Sequence, residues 1–261
     1  MSDVANNGAA HDIWDTLRRS TQSRIGLGRS GDALPTIRVL EFGTAHAAAR
    51  DAVHTPLDAR ALAGRIDGLG LGTPLLVTSR ACDRSEYLRR PDLGRAPADG
   101  ALDRFADSAA DIGIVLADGL SPRALDDHGV PLLQALHQRL RGYSIAPLVI
   151  ATQARVALGD HIGAALGVDT VLVLIGERPG LSVADSVGIY LTHNPIVGCI
   201  DAQRNCVSNI HPPEGLGYDQ AAQVVAALVA GAREIGRSGV DLKDMTGAGS
   251  QIEGTGPALS P

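Results

Sequence analysis

The sequence is poor in aromatic residues, in cysteine and, most of all, in lysine. Rings make up 3% of its 261 residues, so a core has to be built from Ala, Leu, Val and Ile. The three cysteines, Cys82, Cys199 and Cys206, are odd in number and show no CxxC spacing. That argues against a disulfide framework or a zinc site and for reduced thiols. Lys243 is the one lysine, so the basic charge is almost all arginine, and the formal net charge is −6. A mildly acidic chain is not a nucleic-acid binder by bulk electrostatics. Arginine's planar fork suits interface ion pairs, although a genome that favours arginine codons leaves the same composition. No apolar run approaches the roughly 18 residues of a membrane span. The opening MSDVANNGAAHD also lacks the basic-then-apolar layout of a secretory signal. The expectation is a soluble intracellular protein.

Several motifs are missing too. Gly68-Leu-Gly70-Leu-Gly72 follows a helical pattern and not a strand, against a dinucleotide fingerprint. Lys243 is followed by Asp, which excludes a P-loop. None of the eight histidines sits in HExxH or another metal spacing. His46 and His54, eight apart on one predicted helix, fit a partly exposed face. There is no G-x-S-x-G, and Gly180-Leu-Ser182 is a superficial echo of it.

What is present reads as two styles of chain. Residues 1–11 are small and polar and predict disorder. Asp12 opens a short helix carrying Ile13, Trp14 and Leu17 on one face. The glycines of the stretch from Ser23 to Leu34 predict a loop. A longer helix runs from Pro35 to His54 and stops before Pro56. Asp58 caps a third helix, with Leu62, Ile66 and Leu69 in register. Leu75–Val77 reads as a brief strand and Ser85–Arg90 as a turn or two of helix. A helical domain over residues 12–105 is the expectation.

Near residue 110 the rhythm changes. Apolar runs at Ile112–Ala117, Pro147–Ala151, Val171–Ile175 and Gly188–Thr192 alternate with helical patterns at Pro122–Arg141 and Gly159–Leu166. The helix Asp219–Ile235 follows, with Ala222, Val225, Leu228, Val229 and Ala232 inward. Alternation of this kind predicts a Rossmann-like parallel sheet, covered on both faces, over residues 106–242. The remainder, 243–261, has the composition of a flexible tail.

In open α/β sheets, ligands bind beyond the carboxyl ends of the strands. The expected edge carries Asp118, Thr152, Glu177 and the stretch Thr192 to Asn194. Singly, most of these fit a cap or turn, and Ser121 suits the cap of the helix at Pro122. Glu177 follows an unbroken apolar strand and opens the turn Glu177-Arg178-Pro179-Gly180. It points either at something that donates hydrogen bonds or at an arginine of the chain itself. Arg204-Asn205-Cys206-Val207-Ser208-Asn209 reads as a polar loop suited to an amide-rich ligand or an interface. Cys206 alone reads as an ordinary small hydrophobe.

GERPGLS followed by RNCVSN closely resembles the small subunit of ethanolamine ammonia-lyase. The resemblance extends through LRRSTQSRIGLGRSG, HAAARDAVHTPLD, SEYLRRPDLGR and VLADGLS, in order and over most of the chain. It implies a helical amino-terminal part and a Rossmann-like carboxyl-terminal part. It also implies docking on a TIM-barrel large subunit within a higher hetero-oligomer, with adenosylcobalamin between the two chains. The family's cobalamin-contacting valine, glutamate and cysteine correspond to Val156, Glu177 and Cys206. The stretch between Glu177 and Cys206 is slightly shorter here than in the family.

The implied reaction is the radical conversion of ethanolamine to acetaldehyde and ammonia, a carbon–nitrogen lyase activity of the two chains together. The reacting groups would belong to the large subunit, so no catalytic residue and no metal ligand is assigned to this chain. D-x-H-x-x-G is absent, since Asp160-His161-Ile162-Gly163 does not fit it, and base-on cofactor binding is therefore expected. The implied place is the cytoplasm, inside a bacterial microcompartment or outside one. The competing reading is a stand-alone corrinoid- or nucleotide-binding α/β module without catalysis, and a third is a purely structural partner.

Overall fold

A computed structural model describes residues 13–243. The expectations for residues 1–11, for Asp12 as a helix opener and for the tail beyond Lys243 lie outside the described residues. The chain runs α1 (Ile13–Arg18), α2 (Thr36–His54), α3 (Ala59–Asp67), β1 (Leu75–Thr78), α4 (Arg84–Arg89), β2 (Ile112–Ala117), α5 (Pro122–Arg139), β3 (Val149–Thr152), α6 (Leu158–Leu166), β4 (Thr170–Gly176), β5 (Val187–His193), β6 (Asn205–Ile210) and α7 (Tyr218–Ile235). Local chemistry sets several of these boundaries. The Asp58 side chain accepts from the N–H groups of Arg60 and Ala61 at the start of α3. Ser121 does the same for Ala124 ahead of Pro122 in α5. Gly236, left-handed at φ 70°, ends α7.

The six strands form one sheet in the order β1-β3-β2-β4-β5-β6. The pairs among β1, β3, β2 and β4 are parallel, whereas β4–β5 and β5–β6 are antiparallel. The sheet is therefore mixed and not wholly parallel. The connection Glu177–Ser186 contains no helix, and a parallel return needs a crossover of roughly a dozen residues or more, usually helical. The fourth expected run turns back as a hairpin instead. Leu75–Thr78 is the edge strand of this same sheet.

Side chains alternate between two cores, as the period of two along a strand requires. Ile112, Ile114, Leu116, Leu172 and Leu174 pack with Leu62 of α3, Leu132 and Leu136 of α5, and Val225 and Val229 of α7. Val115, Val171, Val173 and Ile175 face the other way, onto Leu158, Ile162 and Leu166 of α6. Each such side chain, fully buried, contributes about 1.5–3 kcal/mol. Helices cover both faces, as expected. On the α6 side, Tyr190 of β5 is half-buried, while Cys206 and Ser208 of β6 reach solvent. Among the described residues no helix is long and apolar enough to cross a membrane.

Candidate functional site

The crevice lies where β2, β3 and β4 end. Gly119 and Leu120 after β2, Arg155 and Val156 after β3, and Gly176, Glu177 and Arg178 at and after β4 enclose a cavity of about 290 Å3 with Tyr87 and Tyr190. Two glycines allow the β2 and β4 turns to approach this closely. Leu120 donates its N–H to Gly176 O at 2.9 Å. A Cβ on Gly176 would stand 2.0 Å from Ser121 O, and one on Gly119 would stand 2.2 Å from Gly176 O. No side chain larger than hydrogen fits either position without moving backbone.

Glu177 reaches across to the hairpin. Its Oε2 accepts from the backbone N–H of Asn209 at 3.2 Å. The register between β5 and β6 slips between Val187 and Ile189, and Asn209 is left-handed at φ 62°. A bulge of this kind leaves a strand N–H free of the ladder, and Glu177 takes it. Gly188 makes room, because a Cβ there would stand 2.9 Å from Glu177 Oε1. Among the described residues Glu177 makes no ion pair with Arg178 or with another arginine.

Cys206 pairs across the ladder with Tyr190, so the two side chains share a face. Partial burial pushes the thiol above its ordinary value, against the neighbouring Tyr190 phenol, which lowers it. The sulfur is therefore a neutral, soft surface at neutral pH. Burial, with Cys206 nearby, pushes the Tyr190 phenol up to about 12.

Val156 is half-buried against the α6-side core, and the segment that presents it is held from below. Asp118, 1% exposed, accepts from Gln153 N–H at 2.8 Å and Ala154 N–H at 2.9 Å. Arg84 donates to Gly119 O at 2.8 Å and faces Asp118 at 3.5 Å. Tyr87 O–H donates to Ala154 O at 3.0 Å. Burial pushes the Asp118 carboxyl up to about 6, against the pull of its N–H donors and of Arg84. Asp118 is thus a tie between strand ends and not a helix cap, whereas Ser121 does cap α5.

Two expectations change. The antiparallel β5 carries Thr192–Asn194 to the opposite edge of the sheet, where His193 pairs with Thr170 at the start of β4. These residues take no part in the crevice. The segment expected as a polar loop is largely strand β6, and the side-chain donors of Arg204 and Asn205 are spent internally. Arg204 is buried against Asp160. Asn205 donates to Gly239 O and Leu242 O. Tyr190 and Arg155 were not singled out by the sequence reading. The alternation Ile189-Tyr190-Leu191, with its neighbours turned to the opposite core, is the signal that marks Tyr190.

The family model "Ethanolamine ammonia-lyase light chain (EutC)" matches residues 11–243. The chain is 68% identical over 244 residues to the ethanolamine ammonia-lyase small subunit of Rhodococcus erythropolis, covering 93% of this chain and 94% of that one. It is 47% identical over 264 residues to the same subunit of Azotobacter vinelandii, covering 96% of each. Identity to that of Pseudomonas syringae pv. tomato is 45% over 252 residues, 94% of this chain and 87% of the other.

Proposed function

The chain belongs to the family of ethanolamine ammonia-lyase light chains, and on that premise we propose that it holds one side of adenosylcobalamin for a two-chain lyase. The observation that carries the reading is the meeting of three positions distant in sequence. Val156 and Glu177 line one cavity with Tyr190, and Tyr190 has Cys206 as its strand partner.

The residues fit such a ligand. A cavity of about 290 Å3 lies near the small end of ligand pockets and takes part of a corrinoid, leaving the remainder for a partner chain. The Gly119–Gly176 contact keeps its floor free of side chains. When bound, the cofactor supplies cobalt–carbon homolysis, and with it the radical chemistry that turns ethanolamine into acetaldehyde and ammonia.

This chain's residues bind and orient. Val156 offers an apolar edge, and Glu177, fixed by Asn209, accepts from rim amides or from the tail's ribose. Cys206 packs its neutral sulfur against the lower side without ligating cobalt. In this reading, residues 106–242 are the cobalamin-contacting part, and residues 12–105 add α1–α4 and the edge strand β1. Binding is base-on, and the large subunit is a TIM barrel that carries the reacting groups in a higher hetero-oligomer. The place of action is the cytoplasm, with or without a microcompartment shell.

Co-expression with a candidate large subunit tests it. Acetaldehyde formation should require adenosylcobalamin and vanish when either chain is omitted. Cobalamin binding by this chain alone, with no turnover in any pairing, would favour the stand-alone binding module instead.

A further inference from the structure

We propose that Arg155 is the anion-holding residue of this crevice and pairs with the phosphodiester of the cofactor's nucleotide tail, an assignment that rests on the cobalamin reading above. The starting observation is a guanidinium with nothing to neutralise it. Arg155 lines the cavity, its Nε is buried without a hydrogen-bond partner, and no carboxylate of the described residues pairs with it. The two buried arginines, Arg84 and Arg204, also leave one nitrogen each without a hydrogen-bond partner, but both face a carboxylate. Arg204 faces Asp160, and Arg84 faces Asp118 and donates to Val53 O and Gly119 O. A partly buried cation without a partner is costly, and such groups are normally paired.

The side chain is also held ready. Its guanidinium carbon lies 4.5 Å from the centre of the Tyr87 ring, and Tyr87 is wholly buried. The Arg155 backbone N–H donates to Gly94 O at 2.8 Å. A Cβ on Gly94 would stand 2.9 Å from both Arg155 Cγ and Tyr87 Cε2, so the bare glycine leaves room for the stem and the ring together. A fork fixed in this way loses little entropy when it binds an oxyanion.

Charge decides the sign of the ligand. Two guanidiniums, Arg155 and Arg178, line the cavity against one carboxylate, Glu177. That carboxylate is turned toward Asn209 and Gly188. The corrin rim offers neutral amides, whereas the nucleotide tail carries one ionised phosphodiester, which an arginine fork recognises best. Free inorganic phosphate shares that chemistry, so the test has to separate the two.

The experiment is an absorbance titration of the two-chain complex with cobalamin and with cobinamide, which lacks the nucleotide tail and its phosphate. Arg155→Gln should weaken cobalamin binding by roughly 10- to 100-fold and leave cobinamide binding as in the wild type. Arg155→Lys should restore part of the loss, and inorganic phosphate should compete with cobalamin in the wild type but not in Arg155→Gln. Unchanged cobinamide binding shows that the variant complex is folded. Equal weakening of both corrinoids would assign Arg155 a merely structural role, and unchanged cobalamin binding would remove it from the site; either overturns the proposal. Phosphate that binds at Arg155 without competing with cobalamin would give the site to a free anion and overturn it as well. If the wild-type complex binds neither corrinoid, the functional reading falls, and this assignment with it.

Discussion

Arg204 and Asp160 meet as a buried fork, Nη1 to Oδ1 at 2.5 Å and Nη2 to Oδ2 at 2.7 Å. The same guanidinium donates to Thr192 Oγ1 at 2.8 Å and Cys199 O at 2.9 Å. One side chain thereby joins α6, the end of β5 and the loop before β6. Arg204 stands two residues before Cys206, and Asp160 four residues after Val156, so the pair ties together the segments that carry both.

Asp160→Ala leaves the Arg204 charge buried with only the exposed Asp201, 3.8 Å from its Nε, to offset it, and should cost about 3–5 kcal/mol. Thermal unfolding of the full chain measures it. A loss under 1 kcal/mol, the scale of exposed pairs, would show that water reaches Arg204 in solution.

Glu177→Ala removes the acceptor for Asn209 N–H and the one carboxylate of the cavity. Cobalamin affinity of the two-chain complex should fall by roughly 1–3 kcal/mol. A cobalamin titration indistinguishable from wild type would take Glu177 out of the site.

Cys206→Ser should have the smaller effect. The thiol is held neutral by partial burial, so the exchange alters polarizability and packing but not charge. Complete loss of turnover in a normally assembled complex would contradict a packing role.

Asp118 gives the folded chain a pH signature. Its carboxyl rises from an ordinary 3.8 to about 6 because burial disfavours the charge. The folded state therefore holds a proton that the unfolded chain has already lost. The resulting stabilisation is complete below pH about 4 and disappears as pH rises through about 6, on the order of 3 kcal/mol in all. The stability of wild type relative to Asp118→Asn should fall by that order from pH 4 to 7. Parallel curves would mean an ordinary carboxylate held by Gln153, Ala154 and Arg84.

Much of this architecture was legible before any coordinates. Proline and aspartate punctuation marked α2 and α3, because Pro35, Pro56 and Asp58 act through neighbouring backbone alone. The inward residues of α7 followed from a period of 3.6, and all five expected positions are buried. Strand β6 escaped notice because the bulge at Ser208–Asn209 breaks its alternation and half its residues are exposed. The direction of β5 escaped for another reason: a buried strand reads as the same apolar run whichever way it lies. The lack of a helix between Gly176 and Val187 was the available clue.

The sequence by itself determined the layers, the family and the residue types offered at the strand ends, since each follows from local periodicity, capping chemistry or motif order. Tertiary structure alone decided which of those residues meet. Glu177 finds Asn209 only because β5 turns back and β6 bulges, and Arg155 lacks a counter-charge only because chain packing places every described carboxylate elsewhere. Pairing of this kind depends on distances between segments far apart in the chain, and no local pattern encodes them.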